Sequence, residues 1–187
     1  MHFHFKVHKP YGYLSQFVGE KASQKKLGAL FPFPEGTMAI GRLDQDSEGL
    51  LLLTTDGKES NWIRSTAVEK EYWAQLDGDI GEIALEKLRI GVEIAIDNVK
   101  YTTQACIVEK LANPPDVLPR SKKIRGDHHG PTSWISITIT EGKFRQIRKM
   151  TAVVGFPTLR LIRVRIGHIL LGDMKPGEVE EFSTFYP

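Results

Sequence analysis

The chain has a single cysteine, Cys106, among its 187 residues, which excludes an internal disulfide and suits a reducing compartment. Cys106 lies in an alternating run with no histidine nearby, so it reads as a small buried hydrophobe. No apolar run approaches the roughly 20 residues that a membrane-spanning helix requires. The amino-terminal MHFHFKVHKP alternates polar and apolar residues and lacks the zoning of a secretory signal. The phosphate loop G-x-x-x-x-G-K-S/T and the dinucleotide fingerprint G-x-G-x-x-G are both missing, and Ser47 has no G-x-S-x-G setting. Of the six histidines, His2 and His4 share a strand face and His128 and His129 are adjacent. None has ligand spacing with Cys or acidic residues, so no structural or catalytic zinc is expected. What these absences leave is a soluble, cytosolic protein.

What is present is a globular composition with an uneven charge. Apolar residues make up 41%, enough for a buried core, and the length suits one domain or two tightly joined lobes. The formal net charge is only +2. Residues 120–165, however, carry eleven Lys and Arg against Asp127 and Glu141 alone. A basic block of that density fits either a polyanion-binding face or a solvated face with counterions.

Hydrophobic spacing predicts the elements. Phe3–His8 alternates as a strand and ends at the turn Lys9-Pro10-Tyr11-Gly12. Gly49–Thr54 is a short apolar run, typical of a strand buried on both faces. Asp56-Gly57 turns into a short helix over Lys58–Arg64. Strands follow at Glu71–Leu76 and Val99–Leu111, separated by a helix over Glu82–Arg89 that stops at Gly91. Asn113–Thr132 holds four prolines and two glycines and is a long loop, of the kind that is functional or disordered inside a compact domain. Trp134–Thr140 alternates as a strand. Phe144–Val154 has helical spacing, with Gly155 as its cap and Pro157 beyond. Leu159–Ile166 reads as the next strand. Strands outnumber helices in no simple βαβ order, which predicts an α+β fold on a mixed or antiparallel sheet.

Three stretches carry groups capable of chemistry. The first, Gly41-Arg42-Leu43-Asp44-Gln45-Asp46-Ser47-Glu48-Gly49, puts one Arg, two Asp and one Glu at the mouth of the core strand. Charge placed there is costly unless paired or used. Asp46, Ser47 and Gly49 read as shaping the turn, whereas Asp44 reads equally as a salt-bridge partner of Arg42 or as a functional carboxylate. In the second stretch, Glu141–Met150, helical spacing groups Phe144, Ile147, Met150 and Val154 on one face. Arg145, Arg148 and Lys149 share another face, with Arg148 at the border. These cations and Lys143 crowd the first two turns, where the helix dipole favours anions. A docked phosphate or carboxylate would account for them; a solvated basic face is the other reading. The third, Lys70-Glu71-Tyr72, opens a strand with a tyrosine that serves either the core or base stacking.

GRLDQDSEGLLLLT resembles the active-site motif of pseudouridine synthases of the small-subunit-rRNA synthase A type. The other motifs follow that family's order: HKPYG first, then KEY, then EGKFRQIRKM followed by RLIRVRIG. The resemblance covers essentially the whole chain. MTAVVGFPTLRLIR and the Pro-rich loop ending PTSWI are similar to members that act on the large ribosomal subunit. It implies a pseudouridine synthase catalytic fold in two lobes about a central RNA-binding cleft. The chain would be one catalytic domain over 1–187, without a separate amino-terminal RNA-binding module. The implied reaction is an isomerisation in which the bond from ribose C1′ to uracil N1 breaks, the base turns, and C5 rejoins the sugar. The target base must first leave its stack. Neither redox change nor phosphoryl transfer occurs, so no cofactor and no metal are expected.

By the same resemblance Asp44 is the catalytic carboxylate, acting as nucleophile or by removing the 2′ proton. Arg148 pairs with it, Tyr72 stacks on the uracil and Leu161 lines the pocket. Arg42, Lys143 and Arg145 contact RNA phosphates. Lys149 joins them from the basic helix face, and Arg120, Lys122, Lys123 and Arg125 add a cationic loop for recognition. The expected partner is ribosomal RNA of the large subunit or a precursor particle, with no membrane involved, bound by a cytoplasmic monomer. Two other readings stay open on the residues alone. One is a non-catalytic rRNA-binding or ribosome assembly protein. The other is a metal-dependent transferase using Asp44 and Asp46 as a D-x-D pair.

Overall fold

The computed structural model describes residues 2–64, 68–125 and 129–185. In chain order, β1 (His4–Lys9), β2 (Met38–Ala39) and β3 (Glu48–Thr54) precede α1 (Gly57–Arg64) and β4 (Lys70–Asp77). Then come α2 (Glu82–Ile90), β5 (Glu93–Ile96), β6 (Val99–Thr102), β7 (Ile107–Lys110) and β8 (Thr132–Ile139). The chain closes with α3 (Gln146–Val153), β9 (Thr158–Ile166), β10 (Ile169–Leu170) and β11 (Val179–Phe182).

Leu50 to Leu53 cannot face water on either side, and β3 is accordingly buried along its whole length. It lies inside a nine-stranded sheet whose main order is β11-β1-β3-β9-β4-β8-β7. Most neighbours are antiparallel, but β3 and β9 run parallel and pair only at Glu48–Ile162 and Gly49–Arg163. That short ladder joins the two halves of the sheet. Gly49 is required there, because its φ is 103° and a Cβ would meet the Arg163 carbonyl oxygen at 2.3 Å. Beyond the junction, Tyr72, Ala74 and Leu76 alternate inward from β4. They pack with Leu85 and Leu88 of α2 and Ile147 and Met150 of α3. The fold is thus the α+β arrangement expected, on a mixed sheet. Among the described residues no helix is long and apolar enough to cross a membrane.

Several boundaries differ from the sequence reading for definite reasons. Val99–Leu111 is not one strand. Its first part pairs with β5 in a separate two-stranded sheet, and its second part pairs with β8. Asp97 and Asn98, with φ of 49° and 63°, make the tight turn between β5 and β6. The third helix starts at Gln146 rather than Phe144, because Arg145 is left-handed at φ 52° and ψ 32°. Phe144 therefore leaves the apolar face and is 63% exposed. Cys106 is half-buried; its Sγ donates to the Leu88 carbonyl at 3.1 Å, and burial pushes the thiol up to about 11.

Candidate active site

Asp44 sits in the turn that feeds β3, and the segment after β1 clamps that turn. Ser15 Oγ donates to the Leu43 carbonyl at 2.8 Å and accepts from the Leu43 amide at 2.9 Å. Gly12 N donates to the Gln45 carbonyl at 2.8 Å, and Gln45 Nε2 returns a bond to the Gly12 carbonyl at 3.1 Å. Inside the turn, Ser47 N donates to the Asp44 carbonyl at 3.0 Å. The backbone on both sides of Asp44 is held without using its carboxylate. That frees the side chain, which is about three-quarters buried, for other work.

Its carboxylate faces two guanidinium groups. Arg145 Nη1 stands 3.3 Å from Asp44 Oδ2 and Arg148 Nε 4.0 Å from the same oxygen. Asp46 takes the stronger contact: Arg145 donates to both its carboxylate oxygens at 3.0 Å. Burial alone would raise Asp46, but the Arg145 hydrogen bonds and the charges of Arg148 and Arg145 hold it below the usual carboxylate value. Arg148 Nη2 donates to the Asp46 carbonyl at 3.0 Å and Ser47 Oγ at 3.2 Å, and its Nη1 to the Thr158 carbonyl at 3.4 Å. Burial lowers the Arg148 guanidinium, while the bond to Asp46 raises Arg145.

These contacts correct one reading. Asp46 does more than shape a turn, since it anchors the arginine that fronts Asp44. Arg145, expected at an RNA phosphate, extends from its left-handed backbone to Asp46 at 3.0 Å and stands 3.3 Å from Asp44. A non-glycine residue in that conformation is strained by about 1–2 kcal/mol. Arg145→Gly should therefore be about 1 kcal/mol more stable than Arg145→Ala when both are unfolded in urea. Equal stabilities would show that the backbone carries no strain.

Asp44, Tyr72, Leu161, Arg42, Lys143 and Arg145 together line a chamber of about 90 Å³. Arg42 is exposed and bonded to Gln16 Oε1, and Lys143 Nζ lies 4.9 Å over the Tyr101 ring. Lys149 is not brought to the chamber; its Nζ donates to the Ala95 carbonyl at 2.7 Å and covers Phe144. The loop cations divide. Arg120 lies 4.5 Å over the Tyr11 ring and donates to the Leu159 carbonyl at 3.4 Å, outside the chamber's lining. Lys122 and Lys123 are exposed. Arg125 is pinned by Asp77 at 2.6 Å and by the carbonyls of His129 and Pro131 at 2.6 and 3.0 Å. Asp127 and His128, with Gly126, lie outside the described residues.

Lys9, Glu48 and Arg160 escaped the sequence reading. Lys9 is fully buried, and its Nζ donates to the carbonyls of Pro10 at 3.0 Å and Tyr13 at 2.7 Å, tightening the turn that clamps Asp44. Burial pushes its ammonium down to about 8, against the opposing pull of Glu48, Asp46 and Asp44. The unfolded chain keeps this proton up to the ordinary value of 10.5, whereas the folded chain releases it near 8. Below pH 8 both states are charged and the burial cost is fully present; between 8 and 10.5 folding gains stability as pH rises. Relative to Lys9→Met, the natural protein should thus gain stability between these two values. Parallel urea-midpoint curves for the two proteins would refute the titration.

Asp44, about three-quarters buried and faced by Arg145, thus lines the chamber together with Tyr72. The sequence profile of the RNA pseudouridylate synthase family matches residues 4–153, and the chain belongs to that family. Among curated relatives, ribosomal large subunit pseudouridine synthase E of Vibrio parahaemolyticus is 42% identical over 177 residues, 94% of this chain and 71% of that protein. The protein of the same name from Xanthomonas campestris is 41% identical over 174 residues, 92% of this chain and 91% of its own length. A crystal structure of a pseudouridylate synthase shares the fold with a TM-score of 0.77 at 24% identity, covering 98% of this chain and 71% of that one. The chain is therefore an enzyme of the pseudouridine synthase class, and the reading as a non-catalytic RNA-binding protein is not favoured.

Proposed function

We propose that this chain converts a uridine of large-subunit ribosomal RNA to pseudouridine, with Asp44 as the catalytic carboxylate. The observation that carries the reading is the Asp44 carboxylate itself, open to a chamber and faced by Arg145 at 3.3 Å while neighbouring backbone bonds hold the turn. The names of the relatives from Vibrio and Xanthomonas support the large subunit as the substrate. The target nucleoside leaves its stack and enters the chamber between Asp44 and Tyr72. On one route an Asp44 oxygen attacks C1′ as uracil departs through N1, and C5 later displaces the carboxylate. On the other, Asp44 takes the 2′ proton, uracil leaves to give a glycal, and C5 adds to C1′ as the proton returns. Both end with loss of the C5 proton to N1 or solvent, so atoms balance without an oxidant. Tyr72 and Leu161 hold the loosened base, and Arg42 and Lys143 receive backbone phosphates at the rim.

This chemistry requires no metal, and the D-x-D alternative meets an obstacle: both Asp46 oxygens accept from Arg145. The test incubates the purified chain with transcripts of each ribosomal RNA, with and without excess EDTA. Tritium release from C5-labelled uridine and carbodiimide mapping read the product. We expect pseudouridine in the large-subunit transcript only, unaffected by EDTA. No release from either transcript would overturn the assignment.

A further inference from the structure

A larger cavity of about 370 Å³ opens beside the Asp44 chamber and shares Arg42, Tyr72, Gly142 and Lys143 with it. Its other charged walls are Arg64, Lys70, Arg163 and the single acid Glu141. Glu141 is occupied, with Tyr101 Oη, Gln104 N at 2.9 Å and Gln146 Nε2 at 2.7 Å on its oxygens.

Arg163 is the anomaly. It is 4% exposed. Its Nε donates to the Leu50 carbonyl at 2.7 Å and its Nη1 to Tyr72 Oη at 3.5 Å, but Nη2 has no partner. Arg160 and Arg165, on the same strand, each have carboxylates; Arg163 has none among the described residues. Lys70 is lowered by burial and then by the charge of Arg163, and its Nζ reaches only the Val68 and Thr140 carbonyls. Two desolvated cations side by side without an anion are costly. An anionic ligand in the cavity would relieve that cost.

We propose that this cavity seats the phosphodiester joining the target uridine to an adjacent nucleotide, on Arg163, Arg64 and Lys70, with Arg42 and Lys143 at the shared rim. The proposal rests on the RNA reading above and extends the recognised substrate from one nucleotide to two. The volume falls in the range of about 300–1,000 Å³ common for small-molecule sites, which suits a phosphate with its ribose rather than a bare ion. A phosphate fixed beside Tyr72 also orients C1′ of the extruded nucleoside toward Asp44. Binding remote from the reacting atoms then serves the chemistry.

The test titrates uridine, UpA, ApU and inorganic phosphate into the full chain by NMR, comparing the natural protein with Arg64→Gln and Arg163→Met. One dinucleotide should bind at least about tenfold more tightly than uridine, equivalent to about 1.4 kcal/mol. Both variants should lose that advantage while keeping their affinity for uridine. Arg163→Met also strands the Leu50 carbonyl; if it fails to fold, the exposed Arg64→Gln decides alone. The subsite is overturned if neither dinucleotide outbinds uridine, or if Arg64→Gln keeps the advantage. Binding of inorganic phosphate without any dinucleotide gain overturns it too, as an anion site unrelated to RNA. Pseudouridine formation by the natural protein is scored separately: formation without a dinucleotide gain sinks only the subsite, and no formation sinks the parent reading.

Discussion

Asp44→Asn is expected to abolish pseudouridine formation while leaving RNA binding within about tenfold, or 1.4 kcal/mol. The substitution changes no backbone bond, because Leu43, Asp44 and Gln45 are held through main-chain groups by Ser15, Ser47 and Gly12. Nor does it leave Arg145 without a counterion, since that guanidinium keeps both oxygens of Asp46 at 3.0 Å. What it removes is the one carboxylate, among the described residues, that lines the chamber and can attack C1′ or take the 2′ proton. An amide does neither, and losses on removing an enzyme's nucleophile or base reach about 10⁴–10⁶-fold. Single-turnover tritium release at saturating enzyme, beside filter binding of the same RNA, separates chemistry from affinity. Residual turnover above about one part in 10³ would move the catalytic role to another group.

How much of this was legible depended on the range of the interaction. The leucine run of β3 and the alternation of β4 declare their burial locally, as does the helical spacing that set Arg148 beside the apolar face. The acidic turn ahead of β3 was visible as an anomaly of charge, and its resemblance to a family motif assigned Asp44. Asp46 was misread because its partner Arg145 lies 99 residues away and reaches it only through a left-handed backbone. Helical spacing cannot foresee such a conformation. Lys149 was grouped with Arg148 for the same reason, although it turns to the Ala95 carbonyl at 2.7 Å. The Asp97-Asn98 turn, by contrast, carried a local signal for the β5–β6 hairpin, namely two residues tolerant of positive φ between short alternating runs. Arg160 and Arg163 carried a signal too. Arginines inside a strand otherwise built for burial require partners, and asking for them points to Glu48 in one case and to the cavity beside Tyr72 in the other.

Breaking the Glu48–Arg160 pair should be the most damaging change to stability. Glu48 is 1% exposed and Arg160 5%. Arg160 Nε and Nη2 donate to the two Glu48 oxygens at 2.9 and 2.8 Å, and Nη2 also donates to the Leu118 carbonyl at 2.8 Å. The pair stands at the short parallel ladder, so it fastens the turn carrying Asp44 to β9 and to the start of the long loop. Glu48→Ala strands the Arg160 guanidinium and removes the charge that most favours the buried Lys9 ammonium, and Arg160→Ala strands a carboxylate. Either single change should cost about 3–5 kcal/mol, a large part of the roughly 5–15 kcal/mol that holds a domain together. Glu48→Met with Arg160→Met removes both charges at similar volume and should recover most of that loss. A double-mutant cycle in urea measures the coupling. Single variants within 1 kcal/mol of the natural protein would show that the ion pair contributes little. The recovered double variant then separates fold from function. If the pair positions Asp44, turnover falls severalfold although stability returns, with RNA affinity unchanged. If turnover returns as well, backbone contacts from Ser15 and Gly12 suffice to place the catalytic carboxylate.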